Sequence, residues 1–153
     1  PGEEAETVSY SAPVLQTSHA KMTSGFGDRL HPITGKPIHH NGVDIAAPAG
    51  TPVHTPSCGR VVYSGFKTGH GETVEIAYAD GSRMRFAQLE NRLVELGEEV
   101  GSGTVIGTVG MSGRYATGPH LHLERWTSED DDAAQPVDPV ETAGLVLFAG
   151  GSH

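Results

Sequence analysis

The chain has 153 residues, enough for one domain and little more. Its 21 Gly and 10 Pro, about a fifth of the residues, together with 6% aromatics, exclude a long-helix bundle or coiled coil and predict short strands joined by many turns. Ten Lys and Arg against 19 Asp and Glu leave a net charge of -9, which argues against nucleic acid or anionic lipid as a partner.

Residues 1–20 carry Glu3, Glu4 and Glu6 among Ser, Thr and Pro and read as a lead-in segment, with one strand expected at Thr7–Tyr10. From Thr23 to Gly50 the chain reads as loop, broken by Gly25, Gly27, Pro32, Gly35, Pro37 and Gly42. Strand signals follow at Gly59–Phe66 and at Thr73–Ala79, and Asp80-Gly81 predicts a tight hairpin turn into Ser82–Leu89. Two short strands are expected within Leu93–Gly110 and a last one at Pro119–Trp126. An acidic, solvated loop (Glu129, Asp130, Asp131, Asp132) comes next, and Pro136 to Pro139 closes the domain. The pattern predicts an all-β fold, an antiparallel sandwich or distorted barrel with a groove lined by glycine-rich loops. Its expected divisions are a lead-in at 1–20, the domain at 21–142 and a tail at 143–153. The lone Cys58 excludes an intrachain disulfide and a thiolate metal cluster. No apolar run approaches the roughly 20 residues of a membrane span. The chain opens on Pro1 and reads as an excised or processed fragment, so the lack of a signal peptide says nothing about compartment.

In Pro119-His120-Leu121-His122-Leu123 the strand period of two puts both imidazoles on one face and both leucines on the other. His40 and Asp44 are four apart, and in an extended segment that even spacing keeps them on one side. Two imidazoles and a carboxylate from separate segments make a three-ligand set suited to zinc, with a fourth position open for water. An open position serves hydrolysis, because the metal lowers the pKa of its water and polarises a carbonyl. All four groups on one ion would instead make a closed, structural site.

These motifs sit in a longer ordered pattern from about Met22 to Pro139. It includes Ser24-Gly25-Phe26-Gly27-Asp28-Arg29, His31-Pro32-Ile33-Thr34-Gly35, His40-Asn41-Gly42-Val43-Asp44-Ile45, Gly110-Met111-Ser112-Gly113 and Thr117-Gly118-Pro119-His120-Leu121-His122-Leu123-Glu124. The pattern resembles the LytM/lysostaphin-type zinc metallopeptidases, the duplicated-hybrid-motif family. The resemblance implies that His40, Asp44 and His122 ligate zinc and that His120 is a catalytic histidine helping to deprotonate the attacking water. It also implies action on peptide bonds of bacterial cell-wall crosslinks, outside the cytoplasm, in the periplasm or as a secreted protein. One position departs. Where the family has a second catalytic histidine in a Tyr-x-His-Leu segment, this chain reads Phe86-Ala87-Gln88-Leu89. A carboxamide can donate a hydrogen bond to an oxyanion but has no proton to give, and losing one such donor typically costs about 10²–10³ in rate.

Substrate-binding candidates are His31, Arg29 and His70. Arg29 either orients its loop or meets a substrate carboxylate, and His70 lies in a Gly-x-Gly turn where the family tends to have tyrosine. Two functions follow: a zinc metalloendopeptidase acting on peptidoglycan crosslink peptides, or a catalytically degenerate domain that binds peptidoglycan or a protein and regulates a partner cell-wall hydrolase. A lipoyl- or biotinyl-type carrier is excluded, because Lys21, Lys36 and Lys67 lie in no carrier motif.

Overall fold

The computed structural model describes residues 8–31, 33–113 and 118–148. Among them run twelve strands: β1 (Lys21–Ser24), β2 (Gly27–Leu30), β3 (Pro37–His40), β4 (Gly42–Ala46), β5 (Pro52–His54), β6 (Gly59–Lys67), β7 (Gly71–Ala77), β8 (Arg83–Arg92), β9 (Glu99–Val100), β10 (Val105–Val109), β11 (His120–Trp126) and β12 (Pro136–Val137). One 3₁₀ turn, Pro139–Glu141, is capped by the Asp138 carboxylate accepting from the Val140 N–H. The fold is all-β, every strand pair is antiparallel, and the main sheet runs β1-β4-β11-β8-β7-β6-β9 without closing into a barrel.

The stretch read as loop between Thr23 and Gly50 holds the second half of β1 and all of β2, β3 and β4. These strands are only four or five residues long, and their glycines hid the alternation. β2 and β3 form a separate two-stranded ribbon, with Gly27 opposite His40. The strand expected at Thr7–Tyr10 does not form in its described part, residues 8–10.

Alternation decides which face is core. Val43, Ile45, Val74, Ile76, Met84, Phe86, Leu121 and Leu123 are fully buried on one face of the central strands. Asp44, Glu75, Arg85, His122 and Glu124 lie on the other and build the site. The core also reaches past 21–142 on both sides. Val14 and Leu15 are fully buried, their N–H groups donate to the Val146 and Leu147 carbonyls, and Leu147 and Phe148 pack in the same cluster. Leu15 bridges both Val53 and Phe148, so the lead-in and the C-terminal segment are stitched to the sheet next to β5.

The acidic loop is exposed, as its composition predicts, yet it is tied down at two points. Glu129 pairs with Arg60 at 3.2 Å, and Asp131 pairs with the buried Arg83 at 2.9 Å.

Candidate metal centre

Three strands bring the central groups together by register alone. β11 lies between β4 and β8, with His122 opposite Asp44 on one side and Ala87 on the other. The small Ala87 leaves the imidazole room, and Leu121 and Leu123 anchor β11 in the core beneath it. His122 Nδ1 lies 2.7 Å from Asp44 Oδ1, and His40 Nε2, arriving from the β2–β3 ribbon, lies 3.5 Å from Asp44 Oδ2. The His40 and His122 rings are 5.2 Å apart. One ligand atom from each of these three residues lies within 4.8 Å of the others, a donor set able to hold a metal ion.

The far side of each ring is also fixed. His40 Nδ1 donates to the Gly25 carbonyl at 2.9 Å, and His122 Nε2 donates to Glu124 Oε2 at 2.7 Å. These bonds turn His40 Nε2 and His122 Nδ1 toward Asp44, so that both nitrogens become available to a metal ion once the proton His122 shares with Asp44 is displaced. Gly42 is a steric requirement of this arrangement. A side chain there would overlap the Leu123 carbonyl and come within 2.8 Å of Glu124 Cγ.

Glu124 is the residue that sequence reasoning left without a role. It is almost fully buried; its second oxygen, Oε1, accepts from Arg85 Nη1 at 2.8 Å and from Trp126 Nε1 at 2.7 Å. The signal was present, because Glu124 is two residues beyond His122 and the strand period puts both on one face. Arg85 had no such signal, since only the β8–β11 register brings it there.

Charges in the cluster are strongly coupled. Burial resists a charge on His122, but its hydrogen bonds to Asp44 and Glu124 prevail and raise its pKa to about 9. Burial likewise opposes the Asp44 and Glu124 carboxylates, yet the bonds from His122 hold both below the usual range. Burial is the main cause of the lowered pKa of His40, with the Gly25 carbonyl and Asp44 pulling the other way.

His120 sits two residues before His122 on the same face. Its Nδ1 bonds the Gly118 carbonyl at 3.0 Å, which leaves Nε2 free to accept a proton. His70 joins the cluster, with its ring 5.7 Å from that of His122 and its Nε2 3.3 Å from Glu124 Oε2. Arg29 lies on β2 and donates to Ser24 Oγ, which in turn is 3.4 Å from His40 Nδ1. His31 stays within the β2–β3 turn, where its Nδ1 accepts from the Ile33 and Thr34 N–H groups at 3.2 and 3.3 Å.

Gln88 occupies a kink. Its φ of 66° makes it the only non-glycine residue with positive φ among the described residues. Here β8 stops pairing with β11, whose partner in β8 is Ala87, and begins pairing with β10 at Leu89. The Gln88 N–H donates to the His70 carbonyl at 2.9 Å, and its Oε1 accepts from the Gly113 N–H at 2.5 Å. Glycine-bearing loops thus ring the cluster through Gly25, His70, Gly113 and Gly118.

Residues 38–139 match the model of peptidase family M23. The chain is 40% identical over 125 residues to the DD-carboxypeptidase/endopeptidase Mpg of Neisseria meningitidis, a match covering 82% of this chain and 27% of that protein. It is 41% identical over 105 residues to the peptidoglycan DD-endopeptidase ShyC of Vibrio cholerae, covering 68% of this chain and 24% of ShyC. The chain therefore spans about a quarter of the length of these relatives. Among solved structures, a zinc-containing peptidase from Vibrio cholerae superposes with a TM-score of 0.73 at 32% identity, covering 85% of this chain and 39% of that one. The catalytic domain of lysostaphin from Staphylococcus simulans gives 0.66 at 34% identity, covering 76% and 87%. With the family pattern spanning two thirds of its length and the donor set within it, the chain belongs to peptidase family M23.

Proposed function

We propose that this chain is a zinc-dependent endopeptidase domain that hydrolyses peptide bonds of peptidoglycan crosslinks outside the cytoplasm, in the cell envelope. The observation that carries the reading is the convergence of His40 Nε2 and His122 Nδ1 on Asp44, each ring fixed from behind. The set suits zinc: two imidazoles and one carboxylate, with room for a fourth ligand. When bound, zinc polarises a carbonyl and makes water a stronger nucleophile near neutral pH. His40, Asp44 and His122 hold it there. His120, through its free Nε2, takes the proton of the attacking water and returns it to the leaving amine. Glu124, with Arg85 and Trp126 behind it, keeps the His122 ring in the required tautomer, and His70 borders the same carboxylate. His31, out in the ribbon turn, is proposed to meet only the more distant parts of a peptide.

The test is release of soluble fragments from purified peptidoglycan by zinc-loaded protein, beside His120→Ala with equal zinc content. Zinc-dependent release, lowered about 10²–10⁴-fold in the variant, is expected of a general base. No release from either protein would remove the enzyme reading.

A second reading, a degenerate M23 domain that binds peptidoglycan or regulates a partner hydrolase, is favoured by one observation. The Gln88 carboxamide is buried and pinned through Oε1 by the Gly113 N–H, and it offers a substrate oxyanion only a neutral Nε2 donor with no proton to give. Gln88→His separates the two. A rate gain toward the roughly 10²–10³ that one oxyanion donor contributes is expected of a site built for hydrolysis, and no gain supports the binding role.

Metal loading should also release a proton. Metal-free His122 is largely protonated at neutral pH because its pKa is raised to about 9, so a metal ion at Nδ1 displaces roughly one proton. The same raised pKa stabilises the metal-free fold fully below about pH 6.5, and that stabilisation is lost as pH rises through about 9. Calorimetric titration with zinc at pH 7, in two buffers of different ionisation enthalpy, should give different apparent heats that converge above pH 9. Identical heats at pH 7 would count against a charged His122.

A further inference from the structure

Most arginines of this acidic chain are neutralised by carboxylates. Arg60 pairs with Glu129, Arg83 with Glu75 and Asp131, Arg85 with Glu75 and Glu124, Arg92 with Glu72, and Arg125 with Asp80. Arg29 is the exception among the described residues. Its one protein acceptor is Ser24 Oγ, and its Nε is buried with no partner. The buried Nε atoms of Arg83 and Arg125 also lack partners, but both guanidinium groups meet carboxylates through their terminal nitrogens.

The placement of Arg29 follows from the ribbon. β2 alternates half-buried Gly27 and Arg29 with exposed Asp28 and Leu30, and β3 alternates half-buried Ile38 and His40 with exposed Pro37 and His39. Gly27 pairs with His40 and Arg29 with Ile38, so Arg29 and His40 are diagonal neighbours on the inner face. Gly27 puts no side chain between them. A guanidinium lacking its counter-ion therefore stands beside a donor of the candidate metal centre. With a divalent cation in place, the positive charge is concentrated at that point of a chain whose net charge is -9. A planar fork with unused donors fits a carboxylate better than any other common group of a peptide.

We propose that Arg29 is a specificity-determining residue that receives a carboxylate of the bound peptide, so that the site selects acidic peptide substrates at that end. This deepens the proposed function and rests on that reading for the peptide nature of the ligand. The alternative assigns Arg29 only to holding Ser24 against His40.

The probes are acetyl-L-Lys-D-Ala-D-Ala as the free acid and as its C-terminal amide, titrated calorimetrically into zinc-loaded full-length chain. The expected result is tighter binding of the acid by about 10- to 100-fold, the range of a charge-assisted hydrogen bond. In Arg29→Ala that preference falls to within about two-fold, with zinc content unchanged, while Arg29→Lys keeps part of it and Ser24→Ala keeps it all. Equal binding of acid and amide by the parent chain, or no binding of either, overturns the proposal. So does a preference that survives Arg29→Ala, which assigns the carboxylate to the cation, or one that Ser24→Ala also abolishes. Because the readout is binding, an Arg29-dependent preference without release of peptidoglycan fragments leaves this proposal standing and removes the peptidase reading.

Discussion

Asp44→Ala is expected to leave the protein folded but without bound metal, and to reduce peptidoglycan release to the level of metal-stripped protein. Among the described residues Asp44 is the only group that faces both imidazoles, with an oxygen 2.7 Å from His122 Nδ1 and the other 3.5 Å from His40 Nε2. Without it the donor set falls to two neutral nitrogens and no anion. The affinity loss should exceed the roughly 10- to 100-fold typical of removing an outer-shell partner. Asp44→Asn keeps the shape and one oxygen acceptor, so it should retain weak binding and place the loss on charge. The fold should survive, because the core face of β4 is Val43 and Ile45 and remains intact. Metal content by elemental mass spectrometry and fragment release, measured on the same samples, check both halves. Full metal occupancy in Asp44→Ala would mean that other donors hold the ion.

Leu15→Ala and Leu147→Ala are each expected to destabilise the domain by about 2–5 kcal/mol, although neither lies within the matched family region. Both side chains are fully buried in the main cluster, and their backbones are hydrogen-bonded to each other. For a domain of this size the change lowers the melting temperature by roughly 4–20 °C. A chain cut to residues 38–139 loses β1, β2 and both flanking segments together and should fail to fold. Thermal unfolding followed by circular dichroism tests each variant. A Leu15→Ala protein that melts within a degree or two of the parent would show that the flanking segment contributes no core.

The sequence was most readable where one strand carried two kinds of residue in strict alternation. His120-Leu121-His122-Leu123 announces both a buried face and a polar one, and both are found. The hairpin at Asp80-Gly81 was equally legible, since Gly81 takes a φ of 87° that other residues resist. Between Thr23 and Gly50 the same rules misled. Glycines there were read as breakers, whereas Gly27 and Gly42 open strands, Gly27 at a φ of 105° and Gly42 packed against the Leu123 carbonyl of β11. The roles of Arg85 and the flanking leucines depend on register across distant strands, and no local pattern encodes that. Glu124 was within reach of the period-two rule, and only its burial reveals how many donors converge on it.

The kink at residue 88 has a consequence for what mutation can explore. A left-handed backbone at a buried strand junction excludes β-branched replacements and admits few side chains readily, histidine and asparagine among them. Glutamine and histidine codons differ only in their third base. A single nucleotide substitution would therefore exchange carboxamide for imidazole at a position whose backbone already suits either, with β8 and its three strand partners unmoved.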